Sequence, residues 1–190
     1  MGSRTAVKQT FSILLIGLLS LGSLKAQEWE FGVWTGVTNY FGDLNDNGNF
    51  EFLGPGAGFF TRYNINSRFA YKVGLNYGRV SFNDEASDFE FNQIRNLSFR
   101  SNIFELSNEV EFNFFRYEKK REEFSFTPYL LTGISVFYFN PTALYDGERV
   151  SLQPLGTEGQ NNPDGDSEPY SRVSFAIPLG GGFKYSFHPA

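Results

Sequence analysis

Residues 104–115 read FELSNEVEFNFF, with Phe104, Leu106, Val110, Phe112 and Phe114 alternating against Glu105, Ser107, Glu109, Glu111 and Asn113. A period of two sends the two sets to opposite sides of an extended strand, and no helix separates them. In a sheet that packs on a dry core, the phenylalanines would turn inward and the glutamates would meet water. In a barrel that crosses a bilayer the assignment inverts, with apolar side chains in lipid and carboxylates in the lumen. The fold therefore depends on which side is wet.

The same alternation returns along the chain. Trp29, Phe31, Val33 and Val37 alternate with Glu30, Gly32, Gly36 and Thr38, and Trp34 breaks the rule. Ala57, Phe59 and Tyr63 oppose Gly56, Gly58 and Arg62; Phe69, Tyr71, Val73, Leu75 and Tyr77 oppose Ala70, Lys72, Gly74, Asn76 and Gly78. A fifth strand runs from Phe124 to Phe139 with Phe126, Leu130, Ile134, Val136 and Tyr138 on its better apolar face. In the sixth, Val173, Phe175, Ile177, Leu179, Phe183, Tyr185 and Phe187 alternate with small residues, Arg172 and Lys184. Across all six, the second face carries glycine, serine, asparagine and charges of both signs: Glu30, Arg62, Lys72, Glu105, Glu109, Glu111 and Lys184. A soluble sandwich rarely turns rows of bare glycine to water, whereas a narrow barrel interior needs small side chains and paired charges. The first face holds almost nothing ionisable, with Asn108 its main polar exception. The pattern predicts an all-β fold, a small transmembrane antiparallel up-and-down β-barrel whose seven named charges form a network in the lumen.

The connections support that orientation. Long polar segments join strands one and two (GDLNDNGNFEFLG), three and four (Asn83 to Asn96), and five and six (Asn140 to Pro169). The others turn on NINS and RYEKKREE, as periplasmic turns do. Within the last long loop, LYDGERV sets Asp-Gly between two extended runs, the signal of a type I′ hairpin above the membrane. Aromatics gather at two levels, with Trp29, Tyr63, Phe69, Phe114, Phe115, Phe124, Tyr185 and Phe187 at the periplasmic rim. Tyr40, Phe41, Tyr77, Tyr138 and Phe139 fall at the outer rim. Arg4 and Lys8 precede an apolar run from Phe11 to Leu21, and small residues follow to Ala26; residues 1–26 read as a secretory signal peptide and 27–190 as the barrel domain. Localisation in the cell outer membrane follows. Six visible strands fall short of the eight at which single-chain barrels begin, so about two closing strands are expected beyond FHPA.

Chemical motifs give little purchase. DLNDNG, Asp43 to Gly48, matches the first half of a calcium loop, but position twelve is Gly54 where a bidentate Glu is required. DGDSE, Asp164 to Glu168, reads as a solvated loop tip. GPGAG enters a strand and not a helix, so it is no phosphate cradle. With one histidine, His188, and no cysteine, neither a catalytic base beside a nucleophile nor a zinc site is expected. A net charge of −5 without a basic stripe argues against nucleic acid. No enzyme activity, cofactor, metal or small-molecule substrate is expected.

The segments FGVWTGVTNYFGDLN, GFFTRYNINSRFAYKVGLNYG, FELSNEVEFNFF, FTPYLLTGISVFYFNP, LQPLGTEGQ and SFAIPLGGGFKYSF, in that order, resemble the PorG family of the Bacteroidetes type IX secretion machinery. The resemblance runs from about Glu28 to Phe187. It implies a non-enzymatic outer-membrane β-barrel subunit that ties a periplasmic ring complex to the outer membrane, with outer-membrane lipids and ring subunits as partners. The family continues through further strands, which again implies a longer chain. In this frame Lys119, Lys120 and Arg121, in the charged periplasmic turn, are a possible contact for the ring. A general surface barrel of the structural or adhesin sort is the alternative. A soluble barrel for an apolar ligand would need an apolar interior, which the charged, glycine-rich face does not offer.

Overall fold

A computed structural model describes residues 28–42, 44, 50, 52–84, 93–94, 96–117, 126–157 and 169–186. Eight strands form one antiparallel sheet: β1 (Trp29–Thr38), β2 (Gly54–Asn64), β3 (Phe69–Asn83), β4 (Ser98–Asn113), β5 (Phe126–Tyr145), β6 (Glu148–Ser151), β7 (Val173–Ala176) and β8 (Leu179–Tyr185). The first five pair in sequence order, up and down, and the sheet curls into a half-barrel. Strand β5, at 20 residues, has three successive partners along its length: β8, then β7, then β6. Strands β7 and β8 follow one line, interrupted at Ile177 and Pro178, because proline brings no N–H to the ladder. The six sequence-predicted strands are thus β1 to β5 and the β7–β8 line. The eighth element is the hairpin that Asp146-Gly147 foreshadows. Both residues have positive φ, 51° and 82°, as a type I′ turn requires, and β6 folds back on the end of β5.

Turn chemistry fixes the register. At NINS the Asn66 side chain accepts from the backbone N–H groups of Arg68 and Phe69, and Ile65 N–H donates to the Phe69 carbonyl. That tight turn sets Arg62 opposite Lys72. The connection from β4 to β5 is longer than a minimal turn. Its described part, Phe114 to Tyr117, lies back along NINS: Tyr117 N–H donates to Ser67 and the Arg68 guanidinium to the Phe114 carbonyl. The contrast between long and short connections is therefore clear at NINS and weak here.

Burial is inverted relative to a water-soluble sheet. The largest fully buried side chains are Glu111, Asn113, Thr127, Asp84, Ser107 and Ser135, whereas Phe31 is 77% exposed, Phe175 74% and Leu179 80%. Asn108, the polar exception on the apolar face, accepts from the Tyr71 hydroxyl at 2.8 Å. Residues 1–26, expected to be a signal peptide, Asp43 and Asn45 to Gly48 of the calcium-like loop, DGDSE, His188 and Lys119 to Arg121 lie outside the described residues.

Candidate functional site

The second face of every strand meets on the inner wall, and its lower tier is a charge network. Across four strands the register places Glu30 opposite Arg62, Arg62 opposite Lys72, and Lys72 opposite Glu109. Two cations side by side would repel. Glu111, one inward step along β4, resolves this. Its carboxylate takes a forked pair from Arg62 (Nε at 2.8 Å, Nη2 at 3.0 Å) and the Lys184 ammonium at 2.6 Å, with Lys72 at 3.7 Å. Arg62 also reaches Glu30 at 2.7 Å, and Lys72 reaches Glu109 at 2.6 Å. Asn64 donates to Glu30, and Lys184 donates to Asn113. The charged heads lie beside rings, Arg62 at 4.9 Å from Phe60 and Lys184 at 4.9 Å from Tyr129. Three cations thus meet three carboxylates, with Glu111, fully buried, as the hub. At the rim below, burial and the neighbouring Glu30 push the Tyr117 phenol up from its ordinary value.

Glu105, the seventh predicted member, stands apart. It accepts from the Asn76 amide at 3.0 Å, and among the described residues no cation stands within ion-pair distance of it. Around it lies the middle tier. Trp34 points inward, which accounts for its break in the alternation, and its indole N–H donates to Asn76 at 2.9 Å. The ring rests on a glycine floor. A Cβ at Gly56 would approach it to 3.2 Å, and one at Gly58 would collide with the indole nitrogen. Trp34, Thr38, Asn76, Gly78, Ile103, Glu105 and Phe137 line a cavity of about 300 Å³.

The upper tier is aromatic. Phe52 packs on Phe82 at 5.2 Å and Tyr40 meets Phe99 edge-on at 4.9 Å. Phe139 stacks on Tyr170 at 6.0 Å. Phe82 is buried, and Tyr40 and Phe139, expected on an outer girdle, pack on this inner side instead. Phe60, Tyr129, Phe137 and Phe99 are inner-wall residues that the sequence pattern did not single out, and Trp34 stood out there only as a break in the alternation. For Trp34, Phe60 and Tyr129 the readable signal was the glycine paired with each, Gly58, Gly32 and Gly182, since wide rings need neighbours without side chains.

On the other side of the sheet, Val33, Phe59, Leu75, Phe104, Leu106 and Val136 border a shallow apolar groove of about 960 Å³. Lower down, Trp29 meets Tyr63 at 5.0 Å, Phe69 meets Phe112 at 5.2 Å, and Phe126 stacks on Phe183 at 5.7 Å. Among the described residues no group of His, Cys, Asp and Glu has the geometry to hold a metal.

A family model described as a domain of unknown function (DUF6089) matches residues 8–153, which takes in β1 to β6. No curated protein and no solved structure matches the chain.

Proposed function

The chain belongs to the DUF6089 family, and from that premise we propose that it is a non-enzymatic outer-membrane β-barrel subunit, exported on the signal peptide of residues 1–26. The observation that carries this reading is the inverted burial. Charged Glu111 and Lys184 are buried while Phe31 of β1, Phe59 of β2, Phe104 of β4 and Phe183 of β8 are exposed, an arrangement that water penalises and hydrocarbon favours. Strands β4 and β5 also exceed the roughly 9–11 residues that a tilted strand needs to cross a bilayer. Their extra length would stand above the membrane, where β6 folds back.

The finer role rests on the resemblance of six ordered segments to PorG-like proteins: a subunit of the type IX secretion machinery that ties a periplasmic ring to the outer membrane. Its lower rim, with NINS and the RYEKKREE turn, is the surface a periplasmic partner would meet. Exposed charges there steer association more than they set affinity.

Two experiments test these levels separately. Cysteines at Val73, Leu75, Phe112 and Ile177 are expected to react with a lipid-dissolved probe, and those at Lys72, Glu109 and Lys184 to stay unreactive; the reverse pattern refutes the membrane barrel. Replacing Lys119, Lys120 and Arg121 together by Glu is expected to weaken ring co-purification with barrel assembly intact. Normal type IX secretion in a deletion strain would remove the secretion role and leave the general surface barrel.

A further inference from the structure

The lower tier balances its own charge, Arg62, Lys72 and Lys184 against Glu30, Glu109 and Glu111. Glu105 is then surplus: a half-buried carboxylate whose described hydrogen bond comes from an amide, which carries no charge. It borders the 300 Å³ cavity together with Trp34, Ile103 and Phe137. A relay holds it in place, because Trp34 donates to Asn76 and Asn76 donates both to Glu105 and to Ser107. Trp34 keeps 37% of its surface exposed, so the indole is reachable from the cavity. The glycines beneath it leave space that any larger residue would fill.

We propose that this cavity is a binding site for an organic cation, an alkylammonium or guanidinium group whose charge meets Glu105 and whose carbon skeleton lies against Trp34 and Phe137. The lining decides the class. One carboxylate, beside a Thr38 hydroxyl bonded to the Arg79 carbonyl and an Asn76 oxygen that accepts from Trp34, offers too few oxygens for calcium or magnesium, which need six or more ligands or a retained water shell. An anion would meet the wrong charge. An organic cation carries a carbon skeleton that gains from contact with the rings, its charge is attracted to an aromatic face, and one carboxylate suffices to neutralise it. Lys72, the inner-wall cation lower on β3, is held by Glu109 at 2.6 Å and so does not neutralise the site. The proposal stands on the inner wall alone and is independent of any secretion role.

The cation could be a free amine or the side chain of a peptide, and the test separates them. The chain has two tryptophans, so in a Trp29→Phe background Trp34 is the single reporter. The full chain in detergent micelles is titrated with butylammonium chloride, with an acetylated, amidated Gly-Lys-Gly peptide, and with sodium chloride at equal ionic strength. A saturable change in Trp34 emission with at least one of the two amines, and none with sodium, is expected. The tighter of the two identifies the source. Glu105→Gln, which keeps the shape and an oxygen for Asn76, should raise the midpoint at least tenfold, and Glu105→Asp should stay within a few-fold of the parent. Heat-modified gel mobility checks that each variant is folded. No saturable response to either amine, an equal response to sodium, or an unchanged midpoint in Glu105→Gln would each overturn the proposal.

Discussion

Two glutamates on one strand, six residues apart on the same face, live in opposite circumstances. Glu111 is fully buried and bonded to Arg62 and Lys184, with Lys72 close by. Glu105 is half-buried beside a cavity and bonded to an amide. The difference comes from the register of the strands around them. NINS places Arg62 and Lys72 side by side in the lower tier, and β8 ends at the height that delivers Lys184 to Glu111. Higher up, the neighbouring strands bring glycines, and Trp34 fills that space. One tier is closed by mutual neutralisation and the other is left open, with one charge over. An inner wall can therefore be a plug and a pocket at once, according to what its neighbours carry at each step.

The largest test of the contrast is Glu111→Leu. It leaves Arg62 and Lys184 buried around an apolar side chain, and breaking a buried pair in this way costs about 3–5 kcal/mol. Urea unfolding of the purified chain in detergent micelles should show a loss of that size. A loss below ~1 kcal/mol would mean that water reaches the tier and that the two glutamates are alike. Replacing Arg62, Glu111 and Lys184 together by apolar residues of similar volume should recover part of the loss, since the penalty belongs to the uncompensated charges.

A smaller effect is expected in the middle tier. Gly58→Val introduces a Cβ where Trp34 lies, and overpacking of this kind costs about 1–3 kcal/mol. The indole should be displaced, with loss of its bond to Asn76 and a red shift of emission in the Trp29→Phe background. The equivalent change at Gly147, whose Cβ would meet nothing, tests backbone strain alone because φ is 82° there. It should cost about 1 kcal/mol and leave the Trp34 emission unmoved.

The outcome for these sites shows what the sequence could convey. Alternation from Phe69 to Tyr77 in β3 and from Phe104 to Asn113 in β4 was legible because each inner position there carries a small, amide or charged residue, so the faces sort by chemistry alone. The Asp-Gly hairpin was legible because its turn demands positive φ at both residues. In β5 both faces carry rings, Tyr129 and Phe137 inside and Phe126 and Tyr138 outside; period two picked the outward face by its aliphatic residues, Leu130 and Ile134, but gave no sign that rings also line the inner one. Tyr40 and Phe139 misled for the same reason: an aromatic near a strand end suits a girdle and an inner stack equally well. The difference between Glu105 and Glu111 was hidden for another cause. Both belong to one alternating set, and only the register across three strands decides which meets an arginine.

The smallest expected effect bears most directly on the comparison. Glu105→Gln removes a charge but keeps a carbonyl oxygen at the same distance from Cα. Asn76 can still donate to it, so the relay from Trp34 survives and no buried donor is orphaned. A neutral hydrogen bond then replaces a charge-assisted one, a difference of about 1 kcal/mol or less. The carboxylate of Glu105 also has no described ion pair to lose, so its removal frees no cation. The same substitution at Glu111 removes the charge that holds Arg62 and Lys184 and should cost several times more. Urea midpoints for the two isosteric variants, measured side by side, give the ratio directly. Equal losses would mean that Glu105 meets a cation from outside the described residues, and the open tier would then be closed in the same way as the lower one.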